Sequence, residues 1–134
     1  MTYVTSDLHG YPLEKFQTLL DKAGFGEDDF CFVLGDVIDR GKDSVKLLRW
    51  LMLQQNFQLI LGNHEAMMLG CGFLFEEITE ESLRNINDGD LGAFDLWLTN
   101  GGDETFDALY ECDIDTRLDI LNYVKDAPLF DVVT

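Results

Sequence analysis

Three short apolar segments, separated by two stretches with helical periodicity, are the feature that most constrains the fold of this chain. The apolar segments are residues 3–6, 30–34 and 57–61, and the helical stretches between them are residues 12–24 and 43–52. Strands that are joined by helical crossovers run parallel, with a right-handed connection. Residues 1–65 are therefore predicted to form a β-α-β-α-β unit, and the fold class is α/β.

Beyond residue 65 the apolar side chains recur at helical spacing. We predict that residues 66–128 form a helical cap region packed beside the sheet, and that residues 1–134 are a single domain. The individual helices are expected at 66–69, 79–87, 90–99, 103–111 and 114–126. The closing stretch, 129–134, has strand character, so we expect a chain that is truncated relative to a larger functional unit and that can self-associate through this edge.

The charge balance is strongly acidic, since 26 Asp and Glu stand against nine Lys and Arg, for a formal net charge of −17. This charge argues against binding to nucleic acid or to anionic lipid. No stretch approaches the roughly 18 consecutive apolar residues of a membrane helix. The three cysteines have no C-x-x-C spacing, which favours reduced thiols. We therefore expect a cytoplasmic protein with neither a nucleic-acid nor a membrane partner.

Polar side chains follow each of the three predicted strands. Asp, His, Asn and Arg occur there at Asp7, His9, Asp36, Asp39, Arg40, Asn63 and His64. Because the carboxyl ends of parallel strands meet at one edge of a sheet, and ligands bind there, these side chains are expected to form one site. Taken singly, each of them would more often be a helix cap, a loop acid or a surface ion pair. Three such coincidences at three successive strand ends favour a functional site instead.

The carboxylates of this group predict a metal centre. Asp7 and His9 are two residues apart on extended chain, so their side chains point the same way and suit one metal ion. Asp36 could bridge two ions with its two carboxylate oxygens, and Asn63 offers a carbonyl oxygen to the second ion. Crowded carboxylates would otherwise repel one another. Mixed oxygen and nitrogen ligands suit two divalent ions such as Mn²⁺, with Fe or Zn²⁺ as further possibilities.

The remaining polar residues predict the chemistry. His64 follows Asn63, so it should face the substrate, and Asp39 is the obvious carboxylate to orient its ring. That pair would serve as a general acid for a leaving-group oxygen. Arg40 supplies a planar fork of donors for phosphate and, with Asn63 and His64, is predicted to bind the substrate. The expected reaction is hydrolysis of a phosphoester by water that two metal ions activate.

The three strand-end motifs together resemble those of the calcineurin-like metallophosphoesterases. They are Asp-Leu-His-Gly at residues 7–10, Gly-Asp-Val-Ile-Asp-Arg-Gly at 35–41 and Gly-Asn-His-Glu at 62–65. Within that superfamily the chain is most similar to phosphoprotein phosphatases of the bacterial and phage branch typified by bacteriophage lambda protein phosphatase. The stretch Trp-Leu-Thr-Asn-Gly-Gly at 97–102 also resembles that branch. The resemblance implies the N-terminal half of a metallophosphoesterase β-sandwich flanked by helices.

The same resemblance implies roles for the individual residues. Asp7, His9, Asp36 and Asn63 would be metal ligands, with Asp36 as the bridge between two ions, often Mn²⁺. His64, paired with Asp39, would be the general acid, and Arg40 the phosphate binder. The implied activity is that of a serine/threonine protein phosphatase acting on a phosphoprotein or a small phosphoester.

Two other functions stay open. The first is a symmetrical dinucleoside tetraphosphate hydrolase, a relative that typically carries alanine and aspartate where this chain has Asp39 and Glu65. The second is a catalytically inactive half-domain. The family's remaining metal ligands are histidines of its second half, whereas this sequence contains only His9 and His64. We therefore expect the isolated chain to bind metal weakly and to have little activity.

Overall fold

The α/β class predicted from the sequence is confirmed by a computed structural model, which describes residues 1–77 and 79–129. Three strands, β1 (Thr2–Thr5), β2 (Phe30–Val33) and β3 (Phe57–Leu59), form one sheet in the order β1-β2-β3. Both pairings are parallel, with Val4 opposite Phe32 and Phe32 opposite Gln58. β2 and β3 are one and two residues shorter than the apolar segments that predict them, and β1 begins and ends one residue earlier than its segment, because the carboxyl-terminal residues of each segment already belong to the loops.

Seven α-helices lie within the described residues. They are α1 (Leu13–Lys22), α2 (Ser44–Met52), α3 (Asn63–Leu69), α4 (Glu80–Arg84), α5 (Asp88–Thr99), α6 (Asp103–Glu111) and α7 (Ile114–Lys125), with a 3-10 turn at Gly72–Phe75. None of the helices in the described part of the chain is long and apolar enough to cross a membrane.

Helix α3 begins three residues earlier than predicted, at Asn63 and not at residue 66. The cause is the side chain of Glu65, which accepts a hydrogen bond from the backbone N–H of Gly62 at 3.1 Å and so closes the first turn of the helix. The apolar periodicity that predicts the helix starts only after this turn. As a consequence Asn63 and His64 lie on the helix itself and not on a loop before it.

The hydrophobic core lies on one face of the sheet and extends into the helical region. Cys31, Val33 and Leu59 are buried on that face, and Trp97 and Leu121 belong to the same cluster. On the opposite face, by contrast, the side chain of Val4 is 61% exposed. The backbone N–H of Leu61 donates to the carbonyl of Pro128 at 2.8 Å, so the end of the helical region returns to β3. The predicted strand at 129–134 lies outside the described residues, apart from Leu129.

Candidate active site

The loops that follow the three strands are held against one another by backbone contacts. The N–H of His9 donates to the carbonyl of Asp36 at 2.9 Å, and the N–H of Gly10 donates to the carbonyl of Val37 at 2.8 Å. Gly35 has φ +84°, and a Cβ at this position would lie 2.5 Å from backbone atoms of Gly62. Only glycine combines this φ with so close an approach. The motif loops therefore meet at one edge of the sheet, as the parallel arrangement predicts.

Backbone strain is concentrated in these loops. Within the described residues, every non-glycine residue with positive φ belongs to the predicted site; these residues are Asp7, His9, Asp36, Asp39 and Arg40. Their φ values lie between 42° and 77°, in the left-handed region that side chains with a Cβ rarely adopt. Such strain persists only where surrounding contacts enforce it, and it occurs characteristically at functional sites.

Three of the four predicted metal ligands come together. One side-chain ligand atom from each of Asp7, His9 and Asp36 lies within 4.8 Å of the other two. We call these three residues the metal group. His9 Nδ1 lies 3.0 Å from the carbonyl oxygen of Ile38, which leaves Nε2 directed to the same side as Asp7 Oδ1, 3.7 Å away. A hydrogen bond from one ring nitrogen to a carbonyl is the usual way of orienting a metal-binding histidine. This donor set fits a divalent ion that accepts oxygen and nitrogen ligands.

The fourth predicted ligand, Asn63, is exposed and is the first residue of α3. The structure links its neighbourhood to the metal group through the next residue, because the backbone N–H of His64 donates to Asp36 Oδ1 at 3.0 Å. The first turn of α3 is therefore anchored directly on the carboxylate that is predicted to bridge two ions.

Glu65 is a residue whose structural role the sequence does not reveal. Its fully buried carboxylate accepts hydrogen bonds from the backbone N–H groups of Asp36 at 2.6 Å, of Val37 at 3.2 Å and of Gly62 at 3.1 Å. Burial raises the pKa of Glu65 to about 6, although the N–H donors act in the opposite direction. This one side chain thus joins the second motif loop to the third.

His64 and Asp39 form the predicted pair, with His64 Nδ1 2.8 Å from Asp39 Oδ2. Both side chains are buried, and that of Asp39 is inaccessible to solvent. Burial raises the pKa of the Asp39 carboxyl above its usual value, opposed by the hydrogen bonds from His64, Thr105 and Trp97. The His64 ring also lies edge-on to His9, with 4.7 Å between the ring centroids, so the pair is adjacent to the metal group.

Two further partners of Asp39 come from the helical region and are absent from the set of residues predicted from the sequence. Trp97 Nε1 donates to Asp39 Oδ2 at 2.9 Å, and Thr105 Oγ1 donates to Oδ1 at 2.8 Å. Ser44 Oγ accepts from the backbone N–H of Asp39 at 2.9 Å. The only sequence signal for Trp97 is its position in the stretch 97–102 that resembles a known branch of the family. No local pattern identifies Thr105.

Arg40, the predicted phosphate binder, is exposed, as that role requires. Its backbone N–H donates to the carbonyl of Gly101 at 2.9 Å. Gly101 has φ +98°, and a Cβ there would lie 2.8 Å from Arg40 Cγ. The turn after α5 therefore packs directly against the backbone and the aliphatic stem of this arginine.

Comparison with known proteins gives one family and a group of named relatives. The family model described as calcineurin-like phosphoesterase matches residues 2–131. A symmetrical bis(5'-nucleosyl)-tetraphosphatase of Buchnera aphidicola subsp. Acyrthosiphon pisum is 39% identical over 70 residues, covering 51% of this chain and 25% of that protein. The protein of the same name from Wigglesworthia glossinidia brevipalpis is 36% identical over 100 residues, covering 72% and 36%.

A third relative extends the similarity to almost the whole chain. The symmetrical bis(5'-nucleosyl)-tetraphosphatase of Glaesserella parasuis serovar 5 is 28% identical over 130 residues, which is 96% of this chain but 39% of that protein. The chain thus spans between a quarter and about two fifths of the length of these relatives. Their names correspond to the alternative function raised from the sequence, so the predicted similarity to phage-type protein phosphatases within the superfamily is corrected by these relatives.

Proposed function

Since the chain belongs to the calcineurin-like phosphoesterase family, we propose that it carries the first three catalytic motifs of a hydrolase that uses two divalent metal ions. Asp7, His9, Asp36 and Asn63 would hold the ions, with Mn²⁺ as the first candidate and Fe or Zn²⁺ as alternatives. The observation that carries the proposal is the convergence of Asp7, His9 and Asp36 within 4.8 Å beside the His64–Asp39 pair.

The protein's own residues would then divide the work. Bound divalent ions would supply Lewis acidity toward the phosphoryl oxygens and toward the attacking water. Arg40, which is exposed, would hold non-bridging phosphate oxygens with its guanidinium fork. Asp39 would accept a hydrogen bond from Nδ1–H of the protonated His64 ring, and Nε2–H of that ring would give its proton to the leaving oxygen.

For the substrate, we propose a dinucleoside tetraphosphate that is cleaved symmetrically. Support comes from the relatives, all three of which are named for this reaction. The chain's charge of −17 would repel so anionic a substrate, so metal ions and Arg40 would have to offset it locally.

A second candidate, a phosphoprotein or another phosphomonoester, is favoured by two residues of the site. Asp39 and Glu65 occupy the positions where the tetraphosphate hydrolases typically carry alanine and aspartate. Both are fully buried and hydrogen-bonded here, so neither is an incidental surface difference. A carboxylate behind His64 strengthens it as a general acid, which matters most for a poor leaving group such as the serine or threonine oxygen of a phosphoprotein.

The test is a direct competition between the two substrate classes. We would assay this chain, and a longer form if the reading frame continues beyond Thr134, with Mn²⁺ on diadenosine tetraphosphate and on a phosphoserine peptide. Asp36→Asn is the inactive control, and Asp95→Asn, an exposed acid on α5, is the matched one. We expect ADP as the product, formed at higher kcat/KM than phosphate from the peptide and lost in Asp36→Asn.

Each other outcome is informative. Preference for the phosphopeptide would replace the first substrate with the second. Activity that survives in Asp36→Asn would overturn the proposed metal centre. If neither the chain nor its longer form hydrolysed either substrate, the hydrolase proposal itself would be wrong for this protein.

A further inference from the structure

The carboxylate of Asp39 has more hydrogen-bond partners than its pairing with His64 requires. It is fully buried, and it accepts from three donors: His64 Nδ1 and Trp97 Nε1 on Oδ2, and Thr105 Oγ1 on Oδ1. Trp97 and Thr105 lie 58 and 66 residues further along the chain, on α5 and α6. Two of the three donors therefore come from the helical region and not from the motif loops.

These donors hold both oxygens of the carboxylate and so restrict its rotation. The torsion between Cβ and a carboxylate group is soft, so one hydrogen bond to His64 would leave the plane of the group free to rotate. Thr105 Oγ1 also accepts from the backbone N–H of Asp39 at 3.2 Å, next to the bond from that N–H to Ser44. Thr105 thus holds both the backbone and the side chain of a residue whose φ is 77°.

Trp97 is itself held in place by a close backbone contact. A Cβ at Gly102 would lie 2.5 Å from the indole atoms Cε2 and Nε1, so the glycine allows the ring to lie directly on the turn. The backbone N–H of Gly102 donates to the carbonyl of Trp97 at 3.0 Å. The preceding residue, Gly101, accepts from the N–H of Arg40. One turn therefore supports the aromatic donor to Asp39 and the predicted phosphate binder together.

We propose that Trp97 and Thr105 are positioning residues that orient the Asp39 carboxylate so that it binds Nδ1–H of His64, which leaves Nε2 free to carry the proton that the leaving group receives. This inference rests on the proposed function of His64 as general acid. It gives the helical region a part in the chemistry, through the hydrogen bonds of two fully buried side chains. A purely structural role, in which the two residues only satisfy a buried carboxylate, predicts a loss of stability without any change in His64.

The first experiment reads the histidine directly and needs no activity. The chain has only two histidines and two tryptophans, so the ¹⁵N spectra of their rings are simple to assign. At a pH where His64 is neutral, we expect its ring to be almost entirely the Nδ1–H tautomer. Trp97→Phe and Thr105→Val should shift a measurable fraction to Nε2–H. The matched controls are Trp50→Phe, at a half-buried indole on α2, and Thr99→Val, at an exposed threonine on α5.

The second experiment uses leaving-group dependence in whichever form of the protein hydrolyses phosphomonoesters. Loss of general-acid catalysis, generally worth about 10²–10⁴-fold, penalises phenyl phosphate far more than p-nitrophenyl phosphate. We expect Trp97→Phe and Thr105→Val to lower the ratio of kcat on phenyl phosphate to kcat on p-nitrophenyl phosphate by about 10-fold, with KM little changed. Thr105→Val keeps the side-chain shape, so it serves if Trp97→Phe does not fold.

The outcomes separate this inference from the function on which it rests. An unchanged His64 tautomer in both folded variants would overturn it, whatever the activity. So would an equal loss of kcat on both phosphate esters. If no form of the protein were active, the proposed function would fail, and the tautomer measurement would still decide whether Trp97 and Thr105 orient His64.

Discussion

The β-α-β-α-β part of the molecule and the helical region contribute to the candidate site in opposite ways. Residues 1–65 supply the reactive groups, and five of these have positive φ. Residues 66–129 supply rigid, buried partners such as Trp97 and Thr105, which sit on helices with ordinary backbone geometry. The difference indicates that strained loops that carry reactive side chains need support from well-packed elements, and that these elements are remote in sequence.

The sharpest distinction between the two parts should appear in metal binding. In Asp36→Asn we expect the Mn²⁺ affinity to fall by more than the roughly 10–100-fold that loss of an outer partner costs. The amide can still accept from the N–H of His64, so the loop contact at 3.0 Å should persist. Isothermal titration with Mn²⁺ measures the affinity, and Trp97→Phe should change it far less. Equal losses of Mn²⁺ affinity in Asp36→Asn and Trp97→Phe would contradict the distinction between reactive and supporting residues.

The sequence predicts one of the two parts well and the other only in outline. The three strands and the meeting of Asp7, His9 and Asp36 follow from parallel topology, because strand ends at one sheet edge need no further information. The contacts of Trp97 and Thr105 with Asp39 span 58 and 66 residues, and no local periodicity encodes them. Helix α3 begins earlier than its apolar periodicity predicts, because its first turn depends on Glu65, whose partners are backbone groups.

The division of roles between the two regions can be tested by a substitution in the helical region that moves Trp97. Gly102→Ala places a Cβ 2.5 Å from the Trp97 indole, at a residue whose own φ of −80° suits alanine. The rigid ring must shift, so we expect about 2–3 kcal/mol of lost stability by overpacking, together with a changed Trp97 indole N–H resonance. Urea denaturation and ¹⁵N spectra measure both. Gly72→Ala, which meets nothing within 4 Å, is the control. An unaltered indole signal would mean that the turn does not hold the ring.

Within the motif part, Glu65 gives a pH dependence that tests how the loops are joined. Its folded pKa of about 6 exceeds the ordinary value of 4.5, so the folded protein binds a proton more tightly than the unfolded chain. The contribution of Glu65 to stability is therefore greatest below about pH 4.5 and falls by about 2 kcal/mol as the pH rises through 6. The difference in unfolding free energy between the wild type and Glu65→Gln, measured without metal, isolates this change from that of Asp39. If the wild type instead gained stability relative to Glu65→Gln as the pH rises, the N–H donors would outweigh burial in setting the pKa of Glu65.

The smallest effect concerns a part of the helical region that does not support the site. Gly92 lies inside α5 and would place a Cβ in open space, so Gly92→Ala should stabilise the protein by about 0.5–1 kcal/mol through helix propensity. Gly24, after α1, has equally open surroundings but φ +78°, so Gly24→Ala should destabilise it by about 1–2 kcal/mol. Thermal unfolding compares the two. Because neither residue contacts Asp39 or Arg40, the His64 tautomer should be the same in both variants. A change in that tautomer on Gly92→Ala would mean that α5 as a whole, and not Trp97 in particular, governs the histidine.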